Sequence, residues 1–127
     1  MGTSYRDAAA FRTELRRFLR RSEEAARQVG ITPGQHVLLL QIAGSDDEQT
    51  TVSELVEKLS LTQSAVTELV QRAELAGLVA RQTSAADGRV AHLRLTDLGA
   101  DSLGRVHSAL GPERAQLRRM IDRLEKS

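Results

Sequence analysis

The chain is predicted to be mainly α-helical with one small β-hairpin, and three observations carry that prediction. Apolar residues recur at alternating three- and four-residue steps in several separate stretches, the spacing of one face of an α-helix. Thr-led capping signals open four of those stretches, and glycines stand where several of them stop. One pair of short runs with strand character is joined by a segment containing an Asp-Gly turn signal.

Residues 5–29 are predicted as one long helix. Ala8, Phe11, Leu15, Phe18, Ser22, Ala25 (or Ala26) and Val29 share a face, with Leu19 beside them and Arg12, Arg16, Arg20 and Arg27 opposite. Gly30 follows where a left-handed residue is wanted. Thr32-Pro33-Gly34-Gln35 opens a second helix, with Thr as N-cap, Pro first and Gln third. Val37 to Ala43 is nearly all apolar, so this helix is expected in the centre of the core. Gly44 to Gln49 is expected as a solvated loop.

Thr51-Val52-Ser53-Glu54 is a second capping box, opening a helix to about Leu59 that buries Val52, Leu55, Val56 and Leu59. Ser60-Leu61-Thr62 turns the chain. The next helix runs from about Gln63 to Ala76, with Thr62 as N-cap. Val66, Leu69, Val70 and Ala73 form its inner face, and Gly77 stops it. Leu78–Thr83 and Arg89–Leu95 are the two strands. Thr96 caps a helix carrying Leu98, Leu103, Val106 and Leu110. Gly111-Pro112 breaks it, and a last helix follows with Leu117, Met120, Ile121 and Leu124.

A chain of 127 residues with 40% hydrophobic content is the size of one domain. Its only aromatic residues are Tyr5, Phe11 and Phe18, so the core is expected to be aliphatic. No apolar run approaches the roughly 18 residues of a membrane span, and the Arg-rich N-terminus lacks the apolar stretch of a secretory signal. The expected location is cytoplasmic, with no membrane partner. The absence of cysteine excludes disulfides, Cys-based zinc sites and thiol sensing. His36, His92 and His107 lack ligand spacing among themselves; they are expected as polar tips at core edges, and neither a metal nor a cofactor is expected. Catalysis finds no foothold. There is no Gly-rich phosphate loop, and Gln63-Ser64-Ala65 lacks the glycines of a nucleophile elbow.

Helix, tight turn, helix and then a hairpin with Asp87-Gly88-Arg89 at its tip is the layout of a winged helix-turn-helix. Such a unit can lay its second helix in a DNA major groove and an arginine in the minor groove beside it. The free face of that helix offers Gln63, Ser64, Thr67, Glu68 and Gln71 to base edges. Thr62, Arg72, Arg81, Arg89 and Arg94 are the expected positioning residues, with Arg89 reaching the minor groove. Against this stands the charge. The net charge of +1 conceals +3 over residues 1–29 and −5 over residues 45–79, so the segment meant for DNA is the most acidic. Asp46, Asp47 and Glu48 are assigned to a loop and Glu54 to a cap, while Glu68 is expected to pair with Arg72 one turn on. The competing reading is a winged-helix module that acts through protein contacts with little DNA affinity. A third is a ligand sensor in which DNA binding is secondary.

Residues 31–99 resemble the MarR (multiple antibiotic resistance regulator) family. The resemblance rests on an ordered series: Ile31 to His36, Thr51 to Leu55, Ser64 to Arg72, Gly77 to Arg81, Asp87-Gly88-Arg89, and Leu93 to Gly99. It implies that the helix at 63–76 is the recognition helix, that Arg89 enters the minor groove and that Asp87 helps hold the wing. Gly88 departs from the pattern, standing where the family has a second basic residue.

The resemblance further implies a homodimer on near-palindromic double-stranded DNA, usually a repressor and often relieved by a small ligand. The organisation expected is a single domain over 1–127, with dimerisation helices at 5–30 and 99–127 flanking a DNA-binding region at 31–98. The outer helices carry more apolar surface than one small domain covers, which favours a dimer; the competing arrangement is a monomeric bundle in which they pack on each other. In the family, the helices carrying His36 and His107 border a cleft. Phe11, Phe18 and Leu40 would wall it, making these five the candidate effector site.

Overall fold

The computed structural model describes residues 2–83 and 90–126. The wing tip, with Asp87, Gly88 and Arg89, lies outside the described residues. The elements in order are α1 (Gly2–Val29), α2 (Pro33–Ala43), a short 3₁₀ turn (Asp46–Glu48), α3 (Val52–Leu59), α4 (Gln63–Leu75), β1 (Val79–Thr83), β2 (Ala91–Leu95), α5 (Asp97–Ala109) and α6 (Gly111–Lys126). The fold is mainly α with a two-stranded antiparallel hairpin, as the sequence predicts. Two compact units form, one from the described residues up to Pro33 with those from Arg105 onward, the other from Gly34–Gly104.

In the first unit α1 packs along α6. The end of α1 is set by Gly30, at φ +98°. Its N–H donates to the carbonyl of Arg27, and the N–H of buried Ile31 donates to that of Ala26, the paired bonds of a Schellman stop. The fully buried large residues are few here. Val106, Leu110 and Met120 are buried, whereas Phe11, Leu15, Phe18, Leu117 and Leu124 are only half-buried, and Tyr5, Leu19 and Ile121 are exposed. The backbone passes from α5 into α6 with Leu110 N–H donating to Val106 and Arg114 N–H to Leu110. Gly111-Pro112 therefore makes a corner at which helical bonding resumes at once.

The second unit has the aliphatic core. Leu38, Leu39, Ile42, Leu55, Val66, Val70 and Leu93 are fully buried, each favouring the folded state by about 1.5–3 kcal/mol over exposure. α2 is less uniformly covered than its composition suggests, because Val37 and Leu40 remain exposed. The segment after α2 is not a plain loop. Asp47 and Glu48 both adopt left-handed backbone conformations, and buried Ser45 donates to the Gln41 carbonyl at 2.6 Å while accepting from Lys58 Nζ at 3.1 Å.

Thr51 caps α3 by accepting from Glu54 N–H at 3.2 Å. The reciprocal half of the expected box is rearranged, since Glu54 Oε2 accepts instead from the Thr50 hydroxyl at 3.0 Å. Thr50 is itself buried, and its N–H and C=O both bond Leu93. This isolated bridge adds a one-residue third strand to the hairpin.

Thr96 joins the hairpin to α5. Its hydroxyl donates to the Gly77 carbonyl at 2.5 Å and accepts from Gly99 N–H at 3.0 Å, as an N-cap does. Leu98, one of the apolar residues of α5, is half exposed at 53%. The turn that holds it begins α5, where Gly99 faces the Leu78 backbone.

Candidate nucleic-acid interface

The α3–turn–α4 segment fixes the candidate reading face. Ser60 reverses the chain in a left-handed conformation (φ 54°). Thr62 then caps α4, its hydroxyl oxygen accepting from Ala65 N–H at 3.1 Å. A hydroxyl that accepts still has a proton to donate, so the cap leaves Thr62 able to contact a phosphate. The first N–H groups of α4 carry the positive end of the helix dipole, which favours an anion.

Val66, Val70 and Ala73 turn into the core, with Leu69 half-buried beside them. Gln63, Ser64, Glu68, Gln71 and Arg72 are exposed, and Thr67 is half-buried at the edge. Gln63, Ser64, Thr67, Glu68 and Gln71 line one shallow concavity of the surface. All five sequence-predicted reading residues are therefore brought together on one facet.

The predicted positioning residues are more dispersed. Arg72 donates to Glu68 at 2.7 Å, the expected pairing across one turn. Arg81 donates to Glu74 at 3.0 Å, a partner that sequence reasoning missed. The two are seven residues apart, but Arg81 lies beyond the α4–β1 turn, so no helical repeat relates it to Glu74. The hairpin register sets Arg81 opposite Leu93 and Arg94 opposite Ala80. Successive residues of a strand point to opposite faces, so Arg81 and Arg94 leave the ribbon on opposite sides. Arg89 is outside the described residues.

The candidate effector residues fall in both units. Phe11 and Phe18 are half-buried on α1, and His107 is exposed on α5. On α2, His36 is buried and Leu40 is 44% exposed. Phe18 also borders a groove in the first unit with Arg17, Arg21, Glu113 and Arg119. Among the described residues no three His, Cys, Asp or Glu side chains cluster as metal ligands would.

Comparison with known proteins places this geometry. The sequence model of the MarR family matches residues 29–90, from the end of α1 to the residue before β2. The chain belongs to the MarR family. The HTH-type transcriptional repressor MdtR of Bacillus subtilis is 36% identical over 76 residues, covering 60% of this chain and 48% of that protein. The chain thus spans about half the length of the curated relative it matches. The fold agrees over more of the molecule. AbsC, a MarR family transcriptional regulator from Streptomyces coelicolor, superposes with a TM-score of 0.69 at 25% identity, over 91% of this chain and 78% of that one. A MarR mutant from E. coli, solved in complex with operator DNA, gives a TM-score of 0.70 at 24% identity, over 87% and 78%. The winged-helix architecture of MarR structures is therefore that of this chain.

Proposed function

We propose that the protein is a sequence-specific DNA-binding transcription regulator, acting as a homodimeric repressor on a near-palindromic operator. One observation carries the reading. In a winged-helix unit, the outer face of α4 gathers Gln63, Ser64, Thr67, Glu68 and Gln71 on one exposed facet, where hydrogen-bonding side chains can meet base edges. The relatives support it: MdtR is a transcriptional repressor, and the E. coli MarR structure holds operator DNA. The half-buried Phe11, Leu15, Phe18, Leu117 and Leu124, with exposed Tyr5, Leu19 and Ile121, support the dimer. A helical unit with so little fully buried core gains from a second copy. Relief by a small ligand belongs to the same proposal. The reading assigns no catalysis and a cytoplasmic location; no described helix is long and apolar enough to cross a membrane.

The test is binding to random-sequence duplex DNA across a salt series. Affinity is expected to fall steeply with salt, and Arg89→Ala is expected to flatten the slope by about 0.9, one phosphate contact. No binding even at low salt would overturn the reading in favour of a protein-interaction module, to which the pairing of Arg72 and Arg81 with carboxylates lends support. A second variant addresses that pairing. Glu74→Gln keeps the shape of the side chain but releases Arg81, and is expected to steepen the salt slope by about 0.9 and raise low-salt affinity a few-fold. An unchanged slope would remove Arg81 from the phosphate contacts.

A further inference from the structure

One face of α1 has a chemistry that the winged-helix reading does not use. Arg12, Arg16 and Arg20 follow one another at four-residue steps, so they leave the helix about 6 Å apart along its axis and turned by only about 40° each. All three are exposed. Among the described residues none lies within ion-pair distance of a carboxylate, although their neighbours do. Arg17 pairs with Glu14 at 2.7 Å, Arg21 with Glu113 at 3.4 Å and Glu24 at 3.7 Å, and Arg27 with Glu23 at 3.8 Å. Carboxylates thus take Arg17, Arg21 and Arg27 and leave the stripe unneutralised. The three arginines line a shallow concavity with Ala9, Thr13 and Arg17.

The charge of the chain is divided in the same sense. By sequence, the unit that holds α1 and α6 has thirteen basic against seven acidic residues, +6, while the winged-helix unit has five against ten, −5. An acidic reading unit exerts no long-range attraction on a polyanion, so the attraction has to come from elsewhere in the molecule.

We propose that Arg12, Arg16 and Arg20 form a second, sequence-independent contact to DNA phosphates, on either the flanks of the bound duplex or a second duplex. The inference rests on the DNA-binding reading. Guanidinium groups grip phosphates in a bidentate manner and never lose their charge. Their spacing on α1 is close to that of successive phosphates along one strand, so one strand can engage all three. An evenly spaced row of like charges suits a uniform phosphate row, whereas a protein partner presents charges of both signs.

The test compares wild type with two triple variants, Arg12→Gln/Arg16→Gln/Arg20→Gln and the corresponding Arg→Lys set. Binding is measured over a salt series on random duplexes of about 20 and about 80 base pairs, with helicity from circular dichroism and stoichiometry from sedimentation. The Gln set is expected to lower the salt slope by about 2.7 at unchanged helicity, and to leave the preference for a selected operator over random DNA unaltered. The Lys set is expected to retain the slope. A loss confined to the long duplex places the contact on flanking phosphates. A loss at both lengths, with wild type carrying two duplexes and the Gln set one, places it on a second duplex.

An unchanged slope in the Gln set overturns the proposal and leaves the DNA-binding reading standing. So does a slope change that the Lys set shares, because charge is then not the cause. Intact DNA binding with lost adsorption to phosphatidylserine vesicles also overturns it. Wild type that binds no duplex at low salt sinks both readings together.

Discussion

Gly99→Ala is expected to lower the melting temperature by roughly 10 °C, while Gly104→Ala, in the same helix, is expected to leave it unchanged or raise it slightly. A Cβ on Gly99 would lie 2.0 Å from the Leu78 carbonyl oxygen and 3.0 Å from the Leu78 carbonyl carbon. These are backbone atoms and have no rotamer with which to retreat. The Leu78 carbonyl is also engaged, accepting from Thr96 N–H at 3.1 Å. Room for the methyl requires α5 to lift from the hairpin, which would strain the Thr96 hydroxyl's bonds to Gly77 and Gly99. Overpacking of this kind costs about 3 kcal/mol. A Cβ on Gly104 meets nothing within 4 Å, so alanine there gains helix propensity, about 0.5–1 kcal/mol. Thermal melts of the two variants check the pair. Equal melting temperatures would show that α5 does not rest on Leu78 as described.

Glu68→Ala is expected to raise affinity for random DNA about tenfold at low salt and, at the same time, to shrink the preference for a selected operator. The carboxylate stands on the reading facet, 63% exposed along its side chain, and holds Arg72 at 2.7 Å. Its removal steepens the salt slope by about 0.9, because Arg72 is released toward phosphates. It also removes the one acceptor on that facet able to take a hydrogen bond from a cytosine amino group without offering a donor in return. Binding curves for the selected operator and for random duplexes, measured at one salt concentration, separate the two effects. Equal tightening on every sequence would make Glu68 a purely repulsive residue and remove it from the reading set. As an exposed pair one turn apart, Glu68 and Arg72 contribute only about 0.3–0.5 kcal/mol to the fold, so the variant is expected to fold normally.

The parts of this protein that its sequence determines by itself are those built from neighbours along the chain. Thr51, Thr62 and Thr96 cap helices with hydroxyls that reach the N–H three residues ahead, a contact that backbone geometry makes available wherever such a residue precedes a helix. Gly30 and Gly77 stop helices at positive φ, which glycine adopts without steric cost. The 3.6-residue repeat assigns Val66, Val70 and Ala73 to the core and leaves the reading residues outside. The Glu68–Arg72 pair follows from the same repeat.

What the tertiary structure alone decides are contacts between residues that no period relates. The one-residue bridge from Thr50 to Leu93 spans 43 positions and has no pattern of its own. It also draws Glu54 away from the reciprocal capping bond toward the Thr50 hydroxyl. Arg81 finds Glu74 only because β1 folds back beside the end of α4. Leu98 and Leu75 are apolar yet exposed, at 53% and 90%, since a residue's burial depends on what packs over its face as well as on its own hydrophobicity. Gly99 shows both sources at once. Its place in the Leu95–Gly99 run is legible in the sequence, but the reason it must lack a side chain is a carbonyl 21 residues earlier, brought beneath it by the fold.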